Sequence, residues 1–296
     1  MALVATLIAN PSNPVLTSSL GEAASDAVNA AGLYWLADGI ACDIALRDGT
    51  NPEAALRALQ DIIGDAPVDV AVQTAETRRK KLLLADMDST MIGQECIDEL
   101  AAEVGLKPKV AEITARAMNG EIEFEPALRE RVALLKGLAL AVIDEVIANR
   151  ITLAAGGPEL VATMRAHGAY TALVSGGFTL FTGPVAEKIG FDEHRSNILQ
   201  VEGDTLSGTV QEPILGKQAK VDALVEITER LGISTDEAIA VGDGANDLGM
   251  LELAGSGVAV HAKPAVAAQA RFRIDHGDLT ALLYLQGYRK TDFAAR

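Results

Sequence analysis

A buried apolar strand that runs directly into two carboxylates is the feature that most constrains the fold of this chain. Residues 82–91 read Leu-Leu-Leu-Ala-Asp-Met-Asp-Ser-Thr-Met, so the aliphatic run ends at Asp86 and Asp88. Ligands of open α/β sheets bind beyond the carboxyl ends of the strands. The segment therefore predicts that Asp86 and Asp88 emerge side by side at such an edge, although a polar turn after a strand explains this segment alone equally well.

Composition and charge limit the class of protein. The 296 residues are 49% hydrophobic and 4% aromatic, which is typical of an aliphatic globular protein with two or three compact units. The net charge of −16 argues against nucleic-acid or anionic-membrane partners, which need basic surface. The opening residues lack the pattern of a signal peptide, and no apolar run reaches membrane-spanning length. Cys42 and Cys96 fit reduced thiols, so the expected compartment is the cytoplasm.

The first part of the chain has its own pattern of elements. Residues 3–74 read strand, helix, strand, strand, helix, strand, which is the βαββαβ order of the ferredoxin-like module. Charge density rises and apolar periodicity stops over residues 74–81, which indicates a linker. We therefore expect a ferredoxin-like, ACT-like domain at residues 1–76. It has no ligand-specific motif, and two roles stay open for it: binding of a regulatory amino acid and formation of a homodimer.

The remaining residues, 77–296, predict a second domain with an insertion. After Thr90 comes a long stretch with four apolar stripes at helical spacing, which predicts a small cap of four helices at about residues 95–155. Strands and helices alternate again from Tyr170, with one hairpin at residues 198–210. The expected fold class is α/β, with a Rossmann-like parallel sheet that carries the helical cap.

Two segments of this second domain carry groups suited to an anion. Ser175 closes an apolar strand and is followed by two glycines, so its hydroxyl and the Gly176 amide can meet a phosphate at a helix N-terminus. Lys220 lies at the predicted start of a helix, with Lys217 as an adjacent alternative. Each feature alone is common in proteins without such a site.

A third segment is more specific. Residues 239–248 read Ile-Ala-Val-Gly-Asp-Gly-Ala-Asn-Asp-Leu, which brings Asp243, Asn246 and Asp247 directly after an apolar strand. Such an acidic cluster repels itself unless a cation binds there. The segment therefore predicts a metal site.

The order Asp86/Asp88, Ser175, Lys220, Asp243/Asp247 resembles the four motifs of the haloacid dehalogenase phosphatases. Glu95 and the segment Ala-Met-Asn-Gly-Glu-Ile-Glu-Phe-Glu-Pro-Ala-Leu-Arg-Glu-Arg-Val at residues 117–132 resemble the cap of the phosphoserine phosphatase family. The resemblance covers about residues 82–280. It implies Mg²⁺-dependent hydrolysis of O-phospho-L-serine to L-serine and phosphate, the last step of serine biosynthesis.

The resemblance also implies catalytic roles. Asp86 would attack phosphorus and form an aspartyl-phosphate, and Asp88 would protonate the departing serine oxygen. Ser175, the Gly176 amide and Lys220 would bind the phosphoryl oxygens where charge accumulates.

The metal ligands are implied in the same way. Mg²⁺ would be held by the Asp86 carboxylate, the Asp88 backbone carbonyl and Asp243, with Asn246 and Asp247 in supporting contacts. The oxygen donors suit this ion, and its charge would offset repulsion between the carboxylate nucleophile and a phosphate dianion.

Substrate choice is expected to rest on the cap. Phosphoserine carries an ammonium and a carboxylate, and Glu95 and Arg131 are the groups that would bind them, under an apolar lid of Met118 and Phe124. Plainer explanations stay open, because each of these residues also suits an ordinary helix surface or core. Arg129 is a nearby alternative to Arg131.

Two other functions stay open from the sequence. A receiver-like signalling domain also clusters acids at strand ends, uses a lysine and is phosphorylated on aspartate, but the helical insertion and the Gly-Asp-Gly-Ala-Asn-Asp segment argue against it. A phosphatase of the same fold that acts on sugar or glycolate phosphates would not require Glu95 and Arg131 together.

Overall fold

The first unit is an antiparallel sheet covered by two helices. The computed structural model describes residues 2–118 and 121–295, without the side chains of residues 117 and 118. The unit contains β1 (Leu3–Ala9), α1 (Ser18–Ala27), β2 (Gly32–Ala37), β3 (Ala41–Ala45), α2 (Pro52–Ile63) and β4 (Val68–Thr74). The order across the sheet is β2-β3-β1-β4, with every neighbour antiparallel. This topology confirms the ferredoxin-like prediction.

Local sequence signals explain where its helices begin. The Thr17 side chain accepts the Leu20 N–H at the start of α1, and the Asn51 side chain accepts the Ala54 N–H at the start of α2. Pro52 follows in the first turn, where its missing N–H costs nothing. These caps fix the two helices against one face of the sheet.

Strand β5 (Leu82–Ala85) leads into the cap. Four helices follow it: α3 (Cys96–Glu103), α4 (Lys107–Met118), α5 (Phe124–Ala133) and α6 (Leu140–Asn149). The chain enters and leaves this cap side by side, because Ile92 and Leu153 form an antiparallel bridge and the Gly93 N–H donates to the Thr152 carbonyl (3.0 Å). The predicted four-helix insertion is confirmed.

The remaining elements complete an α/β core. They are α7 (Gly157–Ala166), β6 (Tyr170–Phe178), α8 (Thr179–Ile189), β7 (Glu193–Asn197), β8 (Leu199–Glu202), β9 (Thr205–Val210), α9 (Lys217–Leu231), β10 (Ala238–Gly242), α10 (Leu248–Leu253), β11 (Ser256–Val260), α11 (Pro264–Ala267), β12 (Phe272–Ile274) and α12 (Ala281–Leu285). The order across the large sheet is β12-β11-β10-β5-β6-β7, and all neighbours are parallel. The four residues of β5 are fully enclosed, as expected for a central strand of a parallel sheet.

The hairpin β8–β9 is attached to the cap. Its strands form a separate antiparallel pair that turns at Gly203 and Asp204, within the hairpin predicted at residues 198–210. The Gly137 N–H donates to the Leu206 carbonyl (2.8 Å), the Leu206 N–H to Leu138 (2.9 Å), and the Leu140 N–H to Asp204 (2.9 Å). The loop between α5 and α6 is therefore fastened to a hairpin that starts from the core sheet.

The two faces of the first sheet bury different neighbours. Along β1, Ala5 and Leu7 pack with α1 and α2, whereas Ile8 points the other way and joins the core of the second unit. Ala71 of β4 joins the same core, together with the buried helix α12. The ferredoxin-like sheet therefore lies with one face directly on the second unit.

The segment predicted as a charged linker is irregular but packed. Arg78 forms an ion pair with Asp43 (2.7 Å), and the Lys80 ammonium donates to the Asp236 carbonyl (2.6 Å). The charged side chains of this segment thus contact both units. No helix in the described residues is long and apolar enough to cross a membrane.

Candidate active site

Asp86 lies at the carboxyl end of the central strand β5. Its N–H donates to the Val241 carbonyl (3.0 Å), which continues the pairing of β5 with β10. Its Oδ1 accepts the Met87 N–H (2.8 Å) and lies 2.6 Å from the Lys220 ammonium. Burial and the nearby Asp247 raise the pKa of this carboxyl well above its ordinary value. Asp86 is thus a desolvated carboxylate that depends on a positive charge.

The turn after Asp86 is tight and contains an unusual backbone conformation. The Met87 carbonyl accepts the N–H groups of Thr90, Met91 and Ile92. Ser89 adopts a φ of 55°, a left-handed conformation that is rare for residues other than glycine and frequent at functional sites. The turn brings the Asp88 side chain back toward the sheet.

Asp88 lies between the cap and the core. Its Oδ1 accepts the N–H of Cys96 (2.9 Å), the first residue of α3, and its Oδ2 accepts the hydroxyl of Ser175 (3.3 Å). Burial, and then the charge of Glu95, raise the pKa of Asp88 to about 6. A carboxyl group in this range can both donate and accept a proton near neutral pH.

Ser175 lies in a bulge within β6. The pairing of β6 with β7 is interrupted between Val174 and Phe178, and α8 begins only at Thr179. The strand was predicted to end at Ser175, but β6 continues through the two glycines to Phe178, and the helix predicted after them begins at Thr179. Inside the bulge the Gly177 N–H donates to the Ser175 hydroxyl (2.8 Å). The bulge turns a hydroxyl toward the acidic residues, which is a frequent use of bulges near active sites.

Lys220 is buried in the first turn of α9 and is 1% exposed. The helix begins at Lys217 rather than at Lys220, and Lys217 is exposed. The Lys220 ammonium lies 2.6 Å from both Asp86 and Asp247. Burial disfavours its charge, but the two carboxylates outweigh this effect and raise the pKa of Lys220.

The acidic segment after β10 forms a cluster with Asp86. Carboxylate oxygens of Asp86, Asp243 and Asp247 lie within 4.8 Å of one another. Asp247 is already engaged, because its Oδ2 accepts the N–H groups of Asp243 (3.1 Å) and Gly244 (2.9 Å) and its Oδ1 accepts Lys220. Asp86 and Asp243 therefore have the oxygens best placed to bind a cation.

The Asn246 side chain forms no hydrogen bond to this cluster in the described residues. It is exposed, and its amide oxygen folds over Gly244, where a Cβ atom would overlap it. Asp247 Oδ2 lies close to the same point, so Asn246 sits at the edge of the cluster and its supporting contact stays a prediction.

Glu95 and Arg131 face each other across the cap without pairing. No ion pair joins Arg131 to Glu95 or Asp98 in the described part of the chain, although both carboxylates influence its charge. Arg131 instead donates to the Ala127 carbonyl (3.2 Å) and the Thr114 hydroxyl (3.3 Å), and Glu95 accepts the Ser89 hydroxyl. Burial lowers the pKa of Arg131. Two opposite charges thus remain available beside the site.

The other cap residues have distinct positions. The Phe124 ring lies over Gly176 and Gly216, where it bridges α5 and the core. Arg129, the alternative to Arg131, is exposed and pairs with Glu212. The Met118 side chain is outside the described residues, so its expected contact stays a prediction.

Several residues of the site escaped the sequence analysis. Thr90 donates to Asp243 (3.4 Å), Ser89 to Glu95 (2.8 Å), and Gly177 supplies an N–H to Ser175. The sequence signal available for these three residues was their position next to the motif residues. The hydrogen bond from the Cys96 N–H to Asp88 left no signal in the sequence, because it depends on how the first cap helix packs on the core.

Comparison with known proteins agrees with this geometry. The model of the haloacid dehalogenase-like hydrolase family matches residues 83–252. The chain belongs to this family. It is 45% identical over 223 residues to a phosphoserine phosphatase of Polaromonas sp., a match that covers 74% of this chain and 94% of the relative. Relatives and solved structures of this kind identify the chain as a phosphatase enzyme.

Solved structures of this hydrolase family match nearly the whole chain. A hydrolase of the same family from Salmonella enterica has a TM-score of 0.85 at 29% identity, covering 96% of this chain and 98% of its own. A probable phosphoserine phosphatase of Vibrio cholerae, solved without ligand, has a TM-score of 0.78 at 31% identity, covering 98% and 88%. The ferredoxin-like sheet is therefore part of a shared architecture.

Proposed function

We propose that this hydrolase cleaves O-phospho-L-serine to L-serine and phosphate. The observation that supports it is that Glu95 and Arg131, which form no ion pair within the described residues, carry opposite charges near the proposed acid Asp88. A free amino-acid phosphate needs one anion for its ammonium and one cation for its carboxylate. The names of the curated relatives support the same substrate.

The reaction would proceed in two displacements. The Asp86 carboxylate attacks phosphorus, the bond from phosphorus to the serine oxygen breaks, and Asp88 donates its proton to that oxygen. Water then attacks the aspartyl-phosphate, Asp88 takes its proton back from the water, and phosphate leaves with Asp86 restored. The raised pKa of Asp88, about 6, suits both transfers.

Ser175, the Gly176 amide and Lys220 would bind the phosphoryl oxygens through both steps. The Ser175 hydroxyl lies between Asp88 and the Gly177 N–H, and Lys220 contacts the same Asp86 that attacks. Fixed donors of this kind stabilise the charge that develops in the transition state without reorganising.

A divalent cation fits the acidic cluster, and we propose Mg²⁺. The Asp86 and Asp243 carboxylates and the Asp88 backbone carbonyl would hold it, while Asp247, hydrogen-bonded through both oxygens, would orient the surrounding loop. When bound, the ion would reduce the repulsion between the carboxylates and the phosphate dianion.

The test of substrate choice compares phosphate release from O-phospho-L-serine and from an aryl phosphate. Arg131→Ala should lower kcat/KM for phosphoserine roughly 30- to 5000-fold, which corresponds to about 2–5 kcal/mol for truncating one partner of a desolvated charge pair. Glu95→Gln should also weaken phosphoserine turnover. Activity on the aryl phosphate should change little, because that substrate has neither group.

Arg129→Ala is the matched control, since Arg129 lies on the same helix but is exposed and pairs with Glu212. Its kcat/KM should stay close to that of the parent on both substrates. Equal losses on both substrates in the Arg131 and Glu95 variants would contradict the proposed substrate.

Metal removal tests the cation. Treatment with a chelator should abolish activity, and added Mg²⁺ should restore it. Excess Ca²⁺ should inhibit, because its longer bonds and looser coordination misplace the nucleophile. Full activity after exhaustive chelation would rule out a metal at this cluster.

A further inference from the structure

Asn197 is a buried amide that contacts two separate loops of the candidate site. It is the last residue of β7 and is 2% exposed. Its Nδ2 donates to the Gly176 carbonyl (2.9 Å) and to the Leu215 carbonyl (3.1 Å). Its Oδ1 accepts the Leu215 N–H (2.7 Å). All three contacts are to backbone groups. The side chain therefore joins the Gly176 and Leu215 segments in the way that main-chain hydrogen bonds join paired strands.

Both contacted loops carry residues proposed to bind phosphate. Gly176 belongs to the bulge with Ser175, and Leu215 lies just before α9, which carries Lys220. Strand pairing does not hold these two segments together, because the pairing of β6 with β7 is interrupted between Val174 and Phe178 and residues 211–216 form no helix or strand. The distance between the serine and the lysine is therefore not fixed by the sheet alone.

The same two loops form the surface on which the cap rests. The Phe124 ring contacts the positions of Gly176 and Gly216, one residue to the side of the Asn197 contact at Leu215. The Asn197 amide thus holds the two proposed phosphate-binding segments together from the core side, while Phe124 of the cap covers them from the cap side.

We propose that Asn197 is a positioning residue that sets the spacing between the Ser175 bulge and the start of α9, and so controls how tightly the site binds a phosphoryl group. It acts through the Gly176 carbonyl and the Leu215 backbone and does not touch substrate. The inference rests on the proposed roles of Ser175 and Lys220.

Two variants separate spacing from general stability. Asn197→Asp keeps the shape and the acceptor but loses the Nδ2 donor, and it sets a carboxylate against two carbonyl oxygens. Asn197→Ala removes all three hydrogen bonds. Ser196→Ala is the matched control, because Ser196 is the adjacent buried residue of β7 and its hydroxyl contacts only Thr182 among the described residues (2.8 Å).

The measurements are the inhibition constant of orthophosphate, kcat/KM with an aryl phosphate, and the melting temperature. Both Asn197 variants should weaken orthophosphate inhibition and lower kcat/KM by at least about tenfold, the equivalent of one net hydrogen bond to a fixed backbone group. Ser196→Ala should lower the melting temperature without changing either constant more than about twofold. The loss in Asn197→Asp should shrink as the pH falls, because a protonated carboxyl regains an O–H donor.

The proposal is overturned if folded Asn197→Ala keeps both constants within about twofold of the parent, or if Ser196→Ala loses as much. If the alanine variant does not fold, Asn197→Asp decides, and a loss that does not depend on pH counts against the proposal. Ser175→Ala and Lys220→Ala are measured alongside. Full activity in those two would instead overturn the proposed function, so the two failures are distinguishable.

Discussion

The ion cluster of Asp86, Lys220 and Asp247 is the strongest electrostatic feature at the scale of single residues. All three side chains are almost fully buried, and one ammonium contacts two carboxylates at 2.6 Å. Buried ion pairs contribute little net stability because desolvation offsets their attraction. We therefore interpret the cluster as an arrangement for catalysis, in which Lys220 holds one oxygen of Asp86 and opposes the rise in its pKa that burial and Asp247 cause.

Replacement of the nucleophile tests this interpretation. Asp86→Asn should lower kcat to less than about a hundredth of the parent value, because the amide keeps the shape and the contact with the Met87 N–H but cannot attack phosphorus. The variant should stay folded and still bind phosphoserine in a calorimetric titration. Asp88→Asn should behave differently and keep residual turnover of an aryl phosphate, whose leaving group needs less protonation. Substantial activity in Asp86→Asn would mean that another group attacks.

At the scale of elements, the bulge of β6 depends on glycine. A Cβ atom at Gly177 would lie 2.9 Å from Asp88 Oδ2 and 3.0 Å from Ser175 Oγ, closer than ordinary contacts allow. Only a residue without a side chain lets the strand pass so near the acid. The bulge thus brings the Ser175 hydroxyl and the Asp88 carboxylate together through close backbone approach.

Gly177→Ala should therefore lose most of its kcat while keeping a melting temperature close to that of the parent, since the clash lies at the open end of the sheet. Gly183→Ala is the control, because a Cβ atom there meets only ordinary contacts of 3.6 Å or more with His194. Unchanged turnover in Gly177→Ala, measured with an aryl phosphate, would show that Asp88 can move aside.

The elements that the sequence predicted are those with strong periodicity or a strong apolar run. Strands β5 and β10 are fully buried, so their aliphatic runs and the acids after them could be recognised directly. Strand β7 was missed because it is the edge strand of the sheet and reads Glu-His-Arg-Ser-Asn. The contacts of Asn197 were missed with it, since they depend on tertiary neighbours that no local pattern encodes.

At the scale of the whole molecule, the two units share one core. Asp69 of β4 is buried and accepts the N–H groups of Asp275 (2.8 Å), His276 (3.2 Å) and Gly277 (2.7 Å), and Gln73 donates to the Leu285 carbonyl (2.8 Å). Because this sheet face is occupied, a homodimer through the ferredoxin-like unit would have to use its helices or the edge strand β2. The boundary near residue 76 stays a prediction.

Asp69→Ala should destabilise the entire protein. The change removes the acceptor of the buried Gly277 N–H, at roughly 1–3 kcal/mol before relaxation, and of the part-buried Asp275 and His276 N–H groups. Calorimetry should show one transition at a melting temperature several degrees lower. Asp65→Ala, at an exposed position just before β4, should have no measurable effect. Two separate transitions, of which only one responds to Asp69→Ala, would show that the units unfold independently.

The attachment of the hairpin to the cap decides which parts of the molecule move together. At the bridge between Ile92 and Leu153 the cap has a narrow hinge to the core. The hairpin is bonded to the cap at Gly137, Leu138 and Leu140, so any swing of the cap must carry the hairpin with it and bend the chain at residue 198 and ahead of Leu215, whose backbone Asn197 holds. Both points adjoin the segments that we propose to bind phosphate. A cap movement that admits substrate would therefore be mechanically coupled to those segments.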